Sequence, residues 1–284
     1  MQEHLYTKSV VKIGIVAYAP KVVTIWEGIK EYLRGQGFNA DWILYSNYPA
    51  LVEALVDGHI DIAWNTPLAY LQVKEKLGGQ CQVLAMRDSD VDFTTIFLTQ
   101  TDSPIHSLLD LKGKRFALAS RDSSHAAILP LYFLHQNGLH PDKDLTVFRF
   151  DTDVGKHGDT GTSEEEVVRA VANREADAGA LGKATWDAYV AAGRIDPQKL
   201  RIFWSSPGYC HCNFTARADF PAELAQRFTQ AILAMDYQQP EQKRIMDLEG
   251  LTHWVPGRTE GYQELEDEAR ELIAVCKCLR PESQ

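Results

Sequence analysis

The stretch YPALVEALVDGHIDIAWNTPLAY, residues 48–70, predicts a helix, a strand and a second helix in direct succession. Its first part spaces apolar residues on one face of a helix, and Pro49 suits the first turn of that helix. The part from Gly58 to Trp64 is typical of a buried strand, and Asn65-Thr66-Pro67 begins the next helix. Alternation of this kind is typical of an α/β protein with a mainly parallel sheet and helices on both faces.

The same alternation continues on either side of this stretch. Strands are predicted at Val10–Tyr18 and Phe38–Tyr45, with a helix between them. A second series begins with a strand at Thr95–Gln100 and includes a helix over Ser123–Asn137. The chain therefore contains enough strand–helix units for two α/β lobes, and its 284 residues can bury a core in each.

The order of these units predicts that one lobe is inserted into the other. We expect a discontinuous first lobe from residues 1–98 and 205–284, and an inserted second lobe from residues 99–204. Two hinge strands, near Thr95–Ser103 and Leu200–Pro207, would then join the lobes. Because clefts at domain interfaces are preferred ligand sites, we expect a ligand cleft between the lobes and hinge closure on the ligand.

Composition and charge exclude several functions. The chain has 29 basic and 39 acidic residues, a net charge of −10, and so lacks the basic excess that binding to nucleic acid requires. It has no apolar run of the roughly 18 residues that a membrane-spanning helix needs, so no direct membrane insertion is expected. The first ten residues lack the pattern of a signal peptide. We therefore expect a cytoplasmic protein unless an export signal was removed.

The cysteines are too few for a disulfide scaffold. There are five, an odd number, and two of them flank a histidine in Cys210-His211-Cys212. These three residues, with a second pair at Cys276 and Cys278, could ligate a soft metal. Their spacing differs from the common zinc patterns, which favour two to four residues between ligands. Reduced structural cysteines are the favoured interpretation, and neither a metal nor a cofactor is expected.

Six segments in a fixed order resemble one known family, the periplasmic substrate-binding proteins of phosphate/phosphonate-type ABC transporters. This family is a branch of the type 2 periplasmic-binding fold, in which two α/β lobes are joined by two hinge strands. The resemblance extends over roughly residues 10–235, and no single motif carries it alone. The matching segments are Ile13–Tyr18, Tyr48–Tyr70, Ser107–Ala117, Asp122–Ser124, Val171–Gly179 and Phe214–Pro221.

Two turns between a strand and a helix are candidate anion sites. A helix N-terminus presents unpaired N–H groups and the positive end of the helix dipole, which favour a phosphate, sulfate or carboxylate. Ser123 and Ser124 lie at such a turn, and the resemblance implies that they bind phosphonate oxygens; a simple N-cap is the alternative. His125 stands where the family usually has a third hydroxyl. Asn65 and Thr66 form the second turn, in the first lobe.

Further candidates lie at the ends of other predicted strands. Tyr18 lies at the end of the first strand, and Tyr45 and Ser46 end the second, where side chains line the crevice of an open α/β sheet. Ordinary packing under a loop is the alternative for these aromatic residues. The resemblance implies that His157, in a polar glycine-rich loop, contacts the ligand; a solvated surface loop is the alternative. Lys183 stands where the family often has a polar or acidic residue, which favours a ligand with more negative charge or without an amine.

The resemblance favours a binding protein over an enzyme. It implies capture of a small oxyanion, such as a phosphonate, phosphite or phosphate, for an ABC permease, by a protein that is periplasmic or lipid-anchored. One alternative is a cytoplasmic enzyme on the same fold, in the manner of thiamin-pyrimidine synthases, with His125, His157 or the Cys-His-Cys segment as reactive groups. A ligand sensor is another. No nucleophile–base set and no glycine-rich nucleotide motif is visible in the sequence.

Overall fold

The structure is a computed structural model that describes residues 10–155 and 162–267. Of the residues considered above, His157, Cys276 and Cys278 lie outside these ranges. The first part of the chain contains β1 (Val11–Val16), α1 (Lys21–Gly35), β2 (Ala40–Tyr45), α2 (Tyr48–Val56), β3 (Ile62–Asn65), α3 (Pro67–Lys76), β4 (Cys81–Arg87), β5 (Thr95–Gln100), β6 (Arg115–Leu118) and α4 (Leu129–Gln136). The second part contains α5 (Pro141–Asp144), β7 (Thr146–Arg149), α6 (Thr162–Ala172), β8 (Ala178–Gly182), α7 (Lys183–Ala191), β9 (Leu200–Ser205), β10 (Asn213–Arg217), α8 (Ala222–Leu233), α9 (Pro240–Glu249) and β11 (Trp254–Pro256).

The described chain divides into two compact units. The first unit contains the residues up to Val91 together with His211–Thr259, and the second contains Asp92–Cys210 together with the residues from Glu260 on. From the sequence, residues 205–284 were predicted to belong to the first lobe, and the strands near Thr95–Ser103 and Leu200–Pro207, which contain β5 and β9, were predicted as hinges. In the structure these two strands pair with each other within the sheet of the second unit.

Local contacts explain why the last described segment belongs to the second unit. Cys210 donates its N–H to Gly261 O at 2.8 Å and its thiol to Glu260 O at 3.0 Å. Gly261 has φ +92°, and a Cβ at this position would lie 2.9 Å from the Cys210 sulfur, so glycine is required here. The side chains of Tyr262 and Leu265 are then buried, at 1% and 3% exposed.

The first unit is built on a six-stranded mixed sheet in the order β11-β4-β10-β3-β1-β2. β1 pairs in parallel with β2 and β3, whereas β10 runs antiparallel to both β3 and β4. The carboxyl ends of β1 to β4 and the amino end of β10 therefore meet at one edge of the sheet. Phe214 lies at the centre of the core, with its ring 4.6 Å from Trp64 and 5.0 Å from Phe228.

The second unit is built on a five-stranded mixed sheet in the order β7-β6-β8-β5-β9. β6 pairs in parallel with β7 and β8, and β5 runs antiparallel to β8. The carboxyl ends of β6 and β8 thus share an edge with the amino end of β5, at Thr95. Two clusters of apolar side chains cover the two faces, one around Val167 and Leu181 and the other around Phe97 and Phe116.

Across the described ranges, no helix combines the length and the apolar character that crossing a membrane would require.

Candidate functional site

In the second unit, the turn after β6 positions the predicted serines. After β6 the chain enters a short π-helical turn, Ser124–Ile128, that runs directly into α4. Ser123 is the N-cap of this turn, and its Oγ accepts a hydrogen bond from Ala126 N at 3.3 Å. The capping role that the sequence allows is therefore observed for Ser123.

Ser124 differs from Ser123 in its hydrogen bonding. Its side chain is 1% exposed, and its Oγ has no hydrogen-bond partner within the described part of the chain. Leaving a buried hydroxyl without a partner costs about 1–3 kcal/mol, so such groups call for a specific explanation in folded proteins. Ser124 therefore has an unused hydrogen-bonding group at a helix N-terminus, where an anion is favoured.

His125 is buried beside a carboxylate that the sequence analysis missed. Its Nε2 lies 3.3 Å from Oε2 of Glu164, and both side chains are 3% exposed. Glu164 also accepts hydrogen bonds from Gly182 N at 2.9 Å and from Thr185 Oγ1 at 3.1 Å. In the sequence, Glu164 is the first of three consecutive glutamates. Only the fold shows which of the three faces the buried histidine.

Thr95 supports the same turn from the amino end of β5. Its hydroxyl donates to His125 O at 2.8 Å, and it lies 2.8 Å from the Tyr209 hydroxyl. Burial raises the pKa of Tyr209 far above its ordinary value, so the phenol stays protonated and neutral. Two neutral hydroxyls thus fix the backbone of the turn without adding charge to it.

The loop after β7 is tied to the beginning of the turn. Asp122 accepts a hydrogen bond from Gly155 N at 2.7 Å, and the Ser120 hydroxyl donates to Asp153. His157 comes two residues after this anchor but lies outside the described residues, so its contact with a ligand stays a prediction.

Lys183 begins α7 directly after β8, at the strand end that the sequence predicts. Its Nζ lies 2.6 Å from both carboxylate oxygens of Asp187, one helical turn further on. The two side chains are 43% and 59% exposed. The structure thus gives the Lys183 charge a partner on its own helix, and a contact with a ligand stays a prediction.

In the first unit, Asn65 is the last residue of β3, and Thr66 connects it to α3. Thr66 is the N-cap of α3, and its Oγ1 accepts a hydrogen bond from Ala69 N at 3.4 Å. Asn65 is completely buried, and neither the nitrogen nor the oxygen of its side-chain amide has a hydrogen-bond partner among the residues described. Asn65 thus has a donor and an acceptor that the fold leaves unused.

Tyr18 follows β1, Tyr45 is the last residue of β2, and Ser46 comes directly after it, all at the same edge of the sheet. Tyr18 packs against the main core of the first unit, and Tyr45 packs against the apolar residues around α2. Burial raises the pKa of Tyr45. Ser46 is exposed, and its Oγ accepts a hydrogen bond from Asn47 Nδ2 at 3.1 Å. Core packing is therefore present for both rings, and their contact with a ligand stays a prediction.

Asn213 is a further candidate that the sequence analysis missed. It begins β10, is completely buried and lies opposite Asn65 in the pairing of β10 with β3. Its Oδ1 accepts a hydrogen bond from Thr215 Oγ1. β10 was not predicted as a strand from the sequence. The two strands that pair with it, β3 and β4, lie far away along the chain. Only the sheet places a second amide beside Asn65.

A buried ionic cluster lies at the end of β4 in the first unit. Arg87 donates to Asp90 from Nε at 2.5 Å and from Nη2 at 2.9 Å, and it donates to Glu249 O from Nη1 at 2.7 Å. Burial alone would raise the pKa of Asp90, but the Arg87 charge and the hydrogen bonds from Arg87 and His211 hold that pKa below its ordinary value. Arg87 and Asp90 thus form a buried ion pair in the core of the first unit.

The structure brings part of the Cys-His-Cys segment to this cluster. His211 Nδ1 lies 3.2 Å from Asp90 Oδ1 and 3.1 Å from Cys212 Sγ, whereas Cys210 belongs to the second unit. Asp90, His211 and Cys212 are close enough together to hold a metal ion. However, the Asp90 carboxylate already pairs with Arg87, whose charge would oppose a bound cation. Carboxylate and thiol also face the same ring nitrogen, so the histidine does not link them as in a catalytic triad.

A family model and a sequence relative both match most of the chain. The family model described as the ABC transporter phosphonate periplasmic substrate-binding protein matches residues 13–262. One relative is named probable ABC transporter phosphite binding protein PhnD1, from Prochlorococcus marinus strain MIT 9301. It is 25% identical over 253 residues, which are 86% of this chain and 82% of the relative.

Solved structures share the fold. PhnD1 from Prochlorococcus marinus in complex with methylphosphonate has a TM-score of 0.74 at 23% identity, over 94% of this chain and 99% of that one. The protein XAC2383 from Xanthomonas citri bound to ATP has a TM-score of 0.71 at 21% identity, over 94% and 98% of the two chains. The likeness confirms the predicted α/β class and type 2 periplasmic-binding fold.

Proposed function

Because this chain belongs to the family of periplasmic substrate-binding proteins of phosphonate ABC transporters, we propose that it binds a small phosphorus oxyanion. The ligand class consists of phosphonates, phosphite, phosphate and related organophosphorus compounds. In this proposal the protein captures the anion without transforming it and delivers it to an ABC permease. Its location is the periplasm, where it is free or lipid-anchored.

The observation that supports this ligand class most strongly is a pair of buried, unpartnered polar side chains. Asn65 ends a strand in the first unit and Ser124 begins a helical turn in the second, and both side chains lack partners within the described ranges. At either position, a ligand oxygen would accept hydrogen bonds from the side chain and from the N–H groups of the helix that follows. The net charge of −10 does not oppose this, because the favourable field is local.

A thermal-shift screen of the purified protein tests the proposal directly. Phosphite, phosphate and methylphosphonate are compared with methanesulfonate and with acetate at equal ionic strength. A one-site ligand at 100 times its Kd stabilises the folded protein by about 2.7 kcal/mol, so a cognate anion raises the melting temperature clearly. If all three phosphorus oxyanions leave the melting temperature unchanged up to millimolar concentration, the proposed function is wrong.

Ser124→Ala is expected to weaken binding of the oxyanion that the screen identifies by about 1–3 kcal/mol, roughly 5- to 150-fold in Kd. The ligand-free protein should lose no stability, because the hydroxyl that is removed has no partner among the described residues. Isothermal titration calorimetry measures the first effect and urea unfolding the second. Ser89→Ala, which removes an exposed hydroxyl bonded to Gly250 O, is the matched control and should bind normally. Unchanged affinity in Ser124→Ala would show that the Ser124 hydroxyl does not contribute to anion binding.

A further inference from the structure

We propose that Glu164 holds His125 in its protonated form, so that the anion-binding turn of the second unit carries a positive charge. Raising the pH above neutrality removes this charge. This inference rests on the proposed function, because it concerns the charge state of the same site. It assigns His125 as a specificity-determining residue for anions and Glu164 as the residue that positions and charges it.

Glu164 accepts hydrogen bonds at the N-terminus of a helix. Two neutral groups, Gly182 N–H and the Thr185 hydroxyl, donate to it, and it lies in the first turn of α6, where the helix dipole stabilises negative charge. A buried carboxylate also needs a compensating cation, because moving a lone charge out of water is costly. The imidazole of His125, with Nε2 at 3.3 Å from Glu164 Oε2, is placed to supply that cation.

Three other described groups lie near this turn, of which two are neutral and the third is part of an ion pair. The ring of Phe93 lies 5.3 Å from the imidazole, and Tyr209, which reaches the turn through Thr95, stays neutral because burial raises its pKa. Lys183, which follows β8 on the strand packed against the turn, is paired with Asp187 instead. Among these groups, Glu164 is the acid that faces the imidazole ring. His125 is the group expected to titrate near neutral pH.

Because His125 lies next to Ser124, its protonation state changes the charge at the anion site. It directly follows Ser124, whose unpartnered hydroxyl marks the place of the anion. While His125 is charged, the pair with Glu164 is neutral overall and an imidazolium is next to the ligand. Once pH rises through the pKa of His125, the proton leaves and the Glu164 charge is no longer compensated. Affinity for an anion should then fall, because a buried negative charge remains close to it.

The test is the pH dependence of methylphosphonate affinity, measured by calorimetry from about pH 5.5 to 9, the range in which histidines with moderately shifted pKa values titrate. The variants are Glu164→Gln, His125→Asn and, as a matched control, Glu166→Gln, whose carboxylate pairs with Arg169 on the surface of the same helix. We expect the wild type and Glu166→Gln to lose about tenfold in affinity through the titration of His125. In Glu164→Gln this loss should move to lower pH, because the partner that raises the pKa of His125 is gone. In His125→Asn the step should be absent, and only the ionisation of the ligand itself should remain.

Failure of this inference differs from failure of the proposed function. If the wild type binds neither methylphosphonate, phosphite nor phosphate at any pH, the proposed function is wrong. If it binds but Glu164→Gln has the wild-type pH profile, Glu164 does not control His125 and the inference is overturned. A direct NMR titration of the imidazole resonances in the ligand-free wild type decides the matter even where a variant fails to fold. There the midpoint of His125 should lie above the ordinary histidine value of about 6.5, and a midpoint below it overturns the inference.

Discussion

Arg87→Met is expected to lower the free energy of unfolding by about 3–5 kcal/mol, because it leaves a buried carboxylate without its cation. Arg87 is 3% exposed and Asp90 is completely buried, so water cannot replace the lost guanidinium at this site. Glu249, whose carboxylate lies 3.7 Å from Arg87 and is also buried, loses its cationic neighbour in the same step. Urea unfolding followed by circular dichroism measures the difference.

The pH dependence of the same variant follows from the lowered pKa of Asp90. A carboxyl whose folded pKa lies below its unfolded value adds stability above the unfolded pKa and loses it as pH falls through the folded pKa. The wild type should therefore lose this contribution only in acid. Arg87→Met lacks it at neutral pH, so the two proteins should converge in stability only as pH falls below the ordinary range of carboxyl groups, through the lowered pKa of Asp90.

Arg169→Met is the matched control for Arg87→Met. Arg169 pairs with Glu166 and Glu175, but its side chain is 46% exposed, and exposed ion pairs contribute only about 0–1 kcal/mol. The control should therefore change the free energy of unfolding far less than Arg87→Met does at neutral pH. Equal losses in the two variants would contradict the assignment of Arg87 and Asp90 as a buried structural pair.

Asn65→Leu is expected to weaken oxyanion binding by about 2–3 kcal/mol, more than tenfold, while leaving the ligand-free protein as stable as the wild type or more stable. Both polar atoms of Asn65 are buried without partners among the described residues, so the fold gains nothing from them. Leucine has nearly the same size and removes the donor and the acceptor together. Thermal unfolding with and without the identified anion measures both effects in one experiment.

The matched control for Asn65→Leu is Asn137→Leu. Asn137 is exposed at the end of α4 in the second unit and donates to Phe133 O, so its replacement should not change affinity. A large loss of stability in ligand-free Asn65→Leu, with normal affinity, would show that the amide serves the fold and has no role in binding.

The stretch of residues 48–70 predicts the observed elements closely. α2, β3 and α3 begin and end within a few residues of their predicted places, because the spacing of apolar side chains reflects which of them are buried. β10 and β11 were not predicted. Each is short and is held by pairing with strands more than a hundred residues away, so local pattern contains little information about them.

The candidate site was likewise predicted only in part from the sequence. The sequence predicts Ser123, Ser124, Asn65 and Thr66 as residues of strand-to-helix turns, and the structure places all four there. It does not predict that the hydroxyl of Ser123 is used as a cap while that of Ser124 is unpartnered. That difference depends on the exact path of the backbone through the turn.

The sequence by itself determined the α/β class, the order of the elements and the turns that can receive an anion, because these depend on apolar periodicity and on capping residues close together in the chain. Only the tertiary structure decided which polar groups remain unpaired and which ionisable groups meet. His125 meets Glu164 and Arg87 meets Asp90 and Glu249 in buried positions, and in two of these three pairs the residues lie 39 or more positions apart in the sequence. Hydrogen-bond satisfaction and charge compensation depend on distance in space, which residue order alone does not specify.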